Sequence, residues 1–303
     1  MSSTPYSSAL PADALVAPMD FEDTGRGLGC IRDVAEGEDL VVIPLETCWW
    51  AGGSRKEPDL RPLIDGGVEL TDLDACALHL LIERAKGSAS SRWAHLQDLP
   101  VGYDSTLFWT DEEMARLEGS DWKGLAERFS GEAKSDWEAL QATLTAGAET
   151  GGAATFLARH GIDWEGYLWA YATLKSRQAE AQVDGKMARL MAPGFDLFNH
   201  SDALIPGTTH YFDTKRSALC CRATHAHAKG EQVVLSVESV TRSVRRVCSG
   251  HQPPKAHAST RWAAAHARPS HGQAFISYGT ASNGSLLLGG GFVLESNKFD
   301  FVE

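Results

Sequence analysis

Residues 25–44 read Gly25-Arg26-Gly27-Leu28-Gly29-Cys30-Ile31-Arg32-Asp33-Val34-Ala35-Glu36-Gly37-Glu38-Asp39-Leu40-Val41-Val42-Ile43-Pro44. Ile31 and Val34 flank a short apolar element, Ala35-Glu36-Gly37-Glu38 has turn composition, and Leu40 to Ile43 is a run rich in β-branched residues stopped by Pro44. That order reads as strand, turn, strand. The alternate glycines 25, 27 and 29 invite comparison with a dinucleotide fingerprint. Such a fingerprint needs a helix directly after the glycines, so that a pyrophosphate meets the helix N-terminus. A second strand follows instead, which argues against it. Two readings stay open: a tight turn at the entry to a hairpin, or backbone kept bare so that a ligand can approach closely.

Downstream the period changes. Ala75, Leu78, Leu81, Ile82 and Ala85 recur at helical spacing, as do Trp164, Leu168, Tyr171 and Leu174. Asp111 to Glu118 opens with acids, which suits a helix N-terminus. Residues 71 to about 185 are therefore expected to be mostly helical, with about six helices. Beyond Pro193 strand patterns return at His210–Phe212, Leu219–Ala223, Gln232–Val237 and Ala274–Tyr278. Strands at both ends of a helical block do not make the βαβ alternation of a doubly wound fold. The expected class is α+β, a discontinuous β-rich domain. Its parts are an N-terminal tail over 1–18, a first β part over 19–60, a helical insertion over 61–185 and a second β part over 186–303.

The bulk numbers fit a globular chain with a sizeable core: 303 residues, 43% hydrophobic and 22% charged. A net charge of −12 argues against a nucleic-acid binder held by phosphate neutralisation. None of the six cysteines stands in C-x-x-C spacing, so neither a zinc ribbon nor a redox pair is indicated. They read as reduced thiols of an intracellular protein, in cytoplasm, nucleus or chloroplast. Met1 to Pro18 lacks the cationic start and apolar run of a secretory signal, and no run reaches the roughly 18 apolar residues that would span a bilayer.

The segment from Val233 to Gln273 is foreign to its surroundings. It carries a net +5 against −17 for the rest of the chain, and holds Pro253-Pro254 in an Ala/His/Ser mixture, the composition of a disordered loop. Valine codons begin with GT and one glutamine codon is CAG, the two ends of a spliceosomal intron. The segment is therefore either a translated, unspliced intron or a genuine disordered insertion. Transcript reads across the junction decide between them. Cys220, Cys221, His225, His227, Cys248 and His251 could be imagined as a zinc site, but Cys220 and Cys221 are neighbours on a strand and point to opposite faces, so no metal site is expected.

Two further constellations carry chemistry. Asp196-Leu-Phe-Asn199-His200-Ser201 places an amide beside an imidazole, and Phe275-Ile-Ser-Tyr278-Gly279 ends a strand on a tyrosine. Taken singly, each fits a capped turn or simple packing. With Gly25 to Gly29, Gly37-Glu38, Ile43-Pro44, Trp93, Leu99-Pro100, Phe108-Trp109, Leu117-Glu-Gly-Ser120, Trp169, Ser176-Arg177, Gly230-Glu231-Gln232 and Gly291-Phe292, they form an ordered series along almost the whole chain. That series resembles the SET-domain methyltransferases of the Rubisco large-subunit methyltransferase-like class, whose members act on lysines of proteins and on a histidine of actin.

The resemblance implies an α+β SET fold with a helical insertion, S-adenosylmethionine as cofactor and a protein as substrate. Backbone at Arg26, Gly27 and Leu28 would cradle the cofactor. Arg177 would face its carboxylate, Asp196, Asn199 and His200 would bind its amino-acid and adenine ends, and Gly291 with Phe292 would close the pocket. Tyr278 would be the active-site tyrosine. The implied reaction is methyl transfer to lysine, with histidine as a second acceptor. A lysine ammonium must first lose its proton, which costs about 4 kcal/mol at neutral pH, and a narrow apolar channel would lower that cost. Two departures favour an alternative, a catalytically impaired protein-binding module: the segment after Gln232 interrupts the strand leading to Tyr278, and relatives usually continue into a helical C-terminal domain past the position of Glu303.

Overall fold

The computed structural model describes residues 9–22, 25–146, 152–198, 208–233, 235–236 and 276–277. Strands β1 (Val16–Phe21), β2 (Gly25–Cys30) and β3 (Asp39–Pro44) come first. Helices α1 (Ala51–Ser54), α2 (Arg61–Asp65), α3 (Asp72–Lys86), α4 (Trp93–Leu96), α5 (Asp111–Ala115), α6 (Asp121–Ala146), α7 (Gly152–His160) and α8 (Trp164–Arg177) follow. Strands β4 (Ala179–Val183), β5 (Lys186–Leu190), β6 (Thr208–Asp213), β7 (Ala218–Ala223), β8 (Leu235–Ser236) and β9 (Ile276–Ser277) come after them. The class is α+β, as expected. None of these helices is long and apolar enough to cross a membrane.

The helical block is organised around α3 and α8, which pack together. Asp72 and Asp74 lie in the first turn of α3 and Arg84 and Lys86 in its last, so charge opposes the helix dipole at both ends. Every residue from Asp74 to Glu83 is buried, so this helix is enclosed on all sides and not laid on a surface. Thr71 caps it by accepting the Asp74 N–H at 3.1 Å. Thr71→Ala should cost about 1 kcal/mol of unfolding free energy, read by urea titration, and an unchanged midpoint would contradict the cap. Around this pair, α6 turns Ala126, Ala133, Trp137, Leu140 and Leu144 inward, one stripe at spacings of three, four and seven.

The strands make a second core and pair in an order the sequence does not announce. Residues 25–44 do form two strands with a turn between them, but the first strand is the glycine run Gly25–Cys30 and not the element read around Ile31 and Val34, where Val34 makes only an isolated bridge to His227, and β2 and β3 are not partners. β2 runs antiparallel to β1, with Gly27 opposite Met19, whereas β3 pairs antiparallel with β7, from the far end of the chain. The larger sheet has the order β3-β7-β6-β8-β9, with β6–β8 and β8–β9 parallel. β7 lies between β3 and β6, and Cys220 and Cys221, on its opposite faces, are both fully buried, so both faces of the sheet are covered there. Burial drives the Cys30, Cys48 and Cys76 thiols up to about 12, so they behave as packing groups.

Three expectations need adjustment. The first strand begins at Val16, inside the stretch read as an N-terminal tail. The helical block ends at Arg177 and not near 185, because Ala179, Ala181 and Val183 are buried alternately and form β4, joined to β5 through Asp184-Gly185, both at positive φ. The stretch from Val233 begins inside the fold: Val233 is fully buried and its N–H donates to the Leu28 carbonyl at 3.0 Å, and Leu235–Ser236 joins the sheet. Periodicity within an element reports such burial only when the run is long, and these runs are short.

Candidate functional site

The two cores meet where Trp49, just after β3, pairs through its backbone with Met191, just after β5; the Trp49 N–H donates to the Met191 carbonyl at 2.9 Å and the return bond is 3.0 Å. Met191 leads into Gly194, at φ 78, where a Cβ would also fall on the Leu10 side chain. Glycine is required there on both counts. It starts the 3-10 turn Phe195–Leu197, which aims Asp196 inward beside β2.

Asp196 is the hub. Its side chain is 2% exposed and its Oδ2 accepts from Arg177 Nη1 at 2.9 Å and from His95 Nε2 at 3.3 Å. The same Arg177 nitrogen donates to the Asp196 carbonyl at 3.0 Å, and the Tyr103 side chain also faces the guanidinium. Burial by itself pushes the Asp196 carboxyl up, but His95 and Arg177 outweigh it and hold the group well below the usual carboxylate range. Arg177, the last residue of α8, is held above its ordinary value by Asp196, against its own burial. Trp49 Nε1–H donates to His95 Nδ1 at 2.8 Å, completing a buried chain Trp49–His95–Asp196–Arg177. Next to it Arg26 Nη2 meets Asp98 Oδ1 at 3.0 Å. Burial raises the Asp98 carboxyl, and Asp196 raises it further.

Arg26, Gly27, Leu28, Arg177 and Asp196 are thus brought to one place. Asn199, His200, Tyr278, Gly291 and Phe292 lie outside the described residues. Arg177 does not stand open toward a ligand through its whole fork, since Nη1 is held by Asp196; its buried Nε has no hydrogen-bond partner among the described residues. Neither do Asp196 Oδ1 and Asp98 Oδ2, both buried. Leu28 has its side chain in the strand core and its carbonyl bonded to Val233. A Cβ at Gly29 would come within 2.5 Å of Met19 Sδ, so a side chain there would have to displace the Met19 thioether.

Sequence reading missed His95, Asp98, Tyr103 and Trp49. His95 and Asp98 sit between Trp93 and Leu99-Pro100, so the motif positions bracket them without naming them. Single polar residues in a helical stretch carry no periodic mark, and their partners lie 101 and 72 positions away.

Two other polar clusters are explained by their own partners. Glu57, His79 and Glu83 surround Lys86, whose ammonium bonds both carboxylates, and burial lowers His79 to about 4. At the second, His227 Nδ1 lies 3.2 Å from Glu231 Oε1, while Glu231 Oε2 accepts the Ala228 N–H at 2.8 Å.

No family model matches the chain. Actin-histidine N-methyltransferase of Callithrix jacchus is 25% identical over 298 residues, covering 94% of this chain and 40% of that protein. The enzyme of the same name from Drosophila melanogaster is 25% identical, over 91% of this chain and 45% of its own length. The chain therefore spans less than half the length of these curated relatives. Among solved structures, the SET domain of LSMT bound to lysine and AdoHcy aligns with a TM-score of 0.65 at 19% identity, over 94% of this chain and 54% of that one. Rubisco LSMT bound to AdoMet aligns with a TM-score of 0.63 at 19% identity, over 94% and 53%.

Proposed function

From the premise that this chain has the α+β fold of a SET domain and is similar to protein methyltransferases along nearly its whole length, we propose that it transfers a methyl group from S-adenosylmethionine to a protein side chain. The observation that carries this reading is the set of buried polar atoms that have no partner among the described residues. Arg177 Nε is a donor, and Asp196 Oδ1 and Asp98 Oδ2 are acceptors. An amino-acid zwitterion supplies the complement: its carboxylate accepts from the guanidinium, and its ammonium donates to the carboxylates. A buried polar atom left unpaired costs about 1–3 kcal/mol, so a group that pairs these atoms gains by meeting them.

Arg177 and Asp196 would hold the amino-acid end of the cofactor, with Arg26, Gly27 and Leu28 on the adjoining strand and Asn199 and His200 beyond Asp196. The cofactor supplies an electrophilic methyl on a sulfonium. The chain's own residues bind and orient it, and Tyr278 orients the acceptor nitrogen through its hydroxyl. Lysine is the first acceptor, in keeping with the lysine-bound structural neighbour. Histidine is the second, favoured by the actin-histidine methyltransferases among the relatives.

The test is transfer of labelled methyl from S-adenosylmethionine to purified actin, to Rubisco and to proteins of a cell extract, with mass spectrometry of the modified residue. Label on a lysine or histidine, abolished or strongly reduced in Tyr278→Phe, is the expected result. Cofactor bound without any transfer would leave the binding-module alternative, and Tyr278→Phe with full activity would remove that tyrosine from the mechanism.

A further inference from the structure

The helical insertion reaches the site through one short segment. Trp49 has only an N–H to offer, so its bond to His95 Nδ1 makes that nitrogen the acceptor. The ring proton then sits on Nε2, which donates to Asp196 Oδ2. Just beyond α4, Asp98 takes Arg26 by one oxygen. The segment itself is anchored: Arg92 donates to the carbonyls of Thr47 and Glu46 at 2.6 and 2.9 Å, and Leu96 and Leu99 are buried. Each carboxylate is therefore gripped by one oxygen, and the other is presented in a fixed direction without a partner among the described residues.

We propose that residues 95–98 are a positioning device for the amino-acid end of the cofactor, with His95 orienting Asp196 and Asp98 orienting Arg26. This rests on the methyltransferase reading. It goes beyond that reading by bringing His95 of the helical insertion into the cofactor site and by giving Asp98 of the same segment an orienting part, through Arg26, beside its second oxygen. A bond to a charged group is worth about 1.5–3 kcal/mol, roughly tenfold or more in affinity, so misplacing Asp196 should be visible in binding.

Two ligands separate positioning from mere support of the fold. S-Adenosylhomocysteine carries the ammonium and carboxylate, and 5′-methylthioadenosine lacks both while keeping the adenosine. Calorimetric titration of the full chain should show His95→Leu losing about tenfold or more in affinity for the first, with the second changed by less than about twofold. His95→Gln, which keeps an N–H within reach of Asp196, should recover most of the loss. Asp98→Asn is nearly isosteric and should show the same selectivity, so the test stands even if His95→Leu fails to fold. Parallel weakening of both ligands, or no weakening of either, overturns the assignment. Wild-type protein that binds neither ligand overturns the methyltransferase reading, and the positioning role with it.

Discussion

Arg177→Met is expected to destabilise the protein by about 3–5 kcal/mol at neutral pH, because it strands a buried carboxylate. Asp196 is 2% exposed, and Arg177 is its only fixed cation among the described residues; the second donor to the same oxygen is the His95 ring. In the wild type the Asp196 carboxyl titrates below its unfolded range. The stability it contributes is fully present above the ordinary carboxylate range and is lost only as pH falls through the depressed folded value. Without the guanidinium, burial dominates and the group takes up a proton at higher pH. The stability gap between wild type and variant should therefore be widest near neutrality and narrow as the solution is acidified toward pH 4. Urea unfolding at both pH values reads the gap; a gap that stays constant or widens in acid means that Asp196 is not the group left uncompensated. Arg177→Met combined with Asp196→Leu should recover part of the loss, since the buried charge leaves with its partner.

The second large effect is at Trp49. Its indole is fully buried in the helical core, lies 4.9 Å from the His79 ring and 4.6 Å under the Arg92 guanidinium, and supplies the N–H that His95 accepts. Trp49→Ala should cost about 3–5 kcal/mol, the range for removing a large aromatic from a packed core. Trp49→Phe keeps much of the ring volume and removes the donor, so it should cost about 1–3 kcal/mol, the penalty for an unsatisfied buried acceptor. Chemical denaturation of the two variants separates packing from hydrogen bonding. No loss in Trp49→Phe would mean that the bond to His95 contributes nothing, and equal losses would mean that the packing of the ring adds nothing to it.

Much of the fold was legible because it is local. The apolar spacing of Ala75 to Ala85 and of Trp164 to Leu174 gives α3 and α8 directly, since a 3.6-residue period can be read without knowing the partner. His210–Phe212 and Leu219–Ala223 fall inside β6 and β7 for the same reason at period two. The Asp184-Gly185 turn was equally readable, and its flanking residues mark a hairpin that the helical pattern before it obscured. At the site, Arg177 and Asp196 could be named because the ordered motifs name them. His95 and Asp98 could not, because nothing in their own neighbourhood distinguishes them from solvent-facing helix residues.

The glycine-rich stretch from Gly25 to Pro44 marks the division. Alone, it determined two strands with a turn between them and removed the dinucleotide reading, because strand propensity and turn chemistry act over a few residues. It could not tell that β2 would leave β3 for β1, or that β3 would find β7 about 180 positions later, because pairing is decided by which faces can be buried together. The same holds for chemistry. Residue types and their order pointed to a methyltransferase, whereas tertiary packing alone set His95 and Asp98 against Asp196 and Arg26. A buried carboxylate is stable only where donors converge on it, and that convergence is a property of the folded chain.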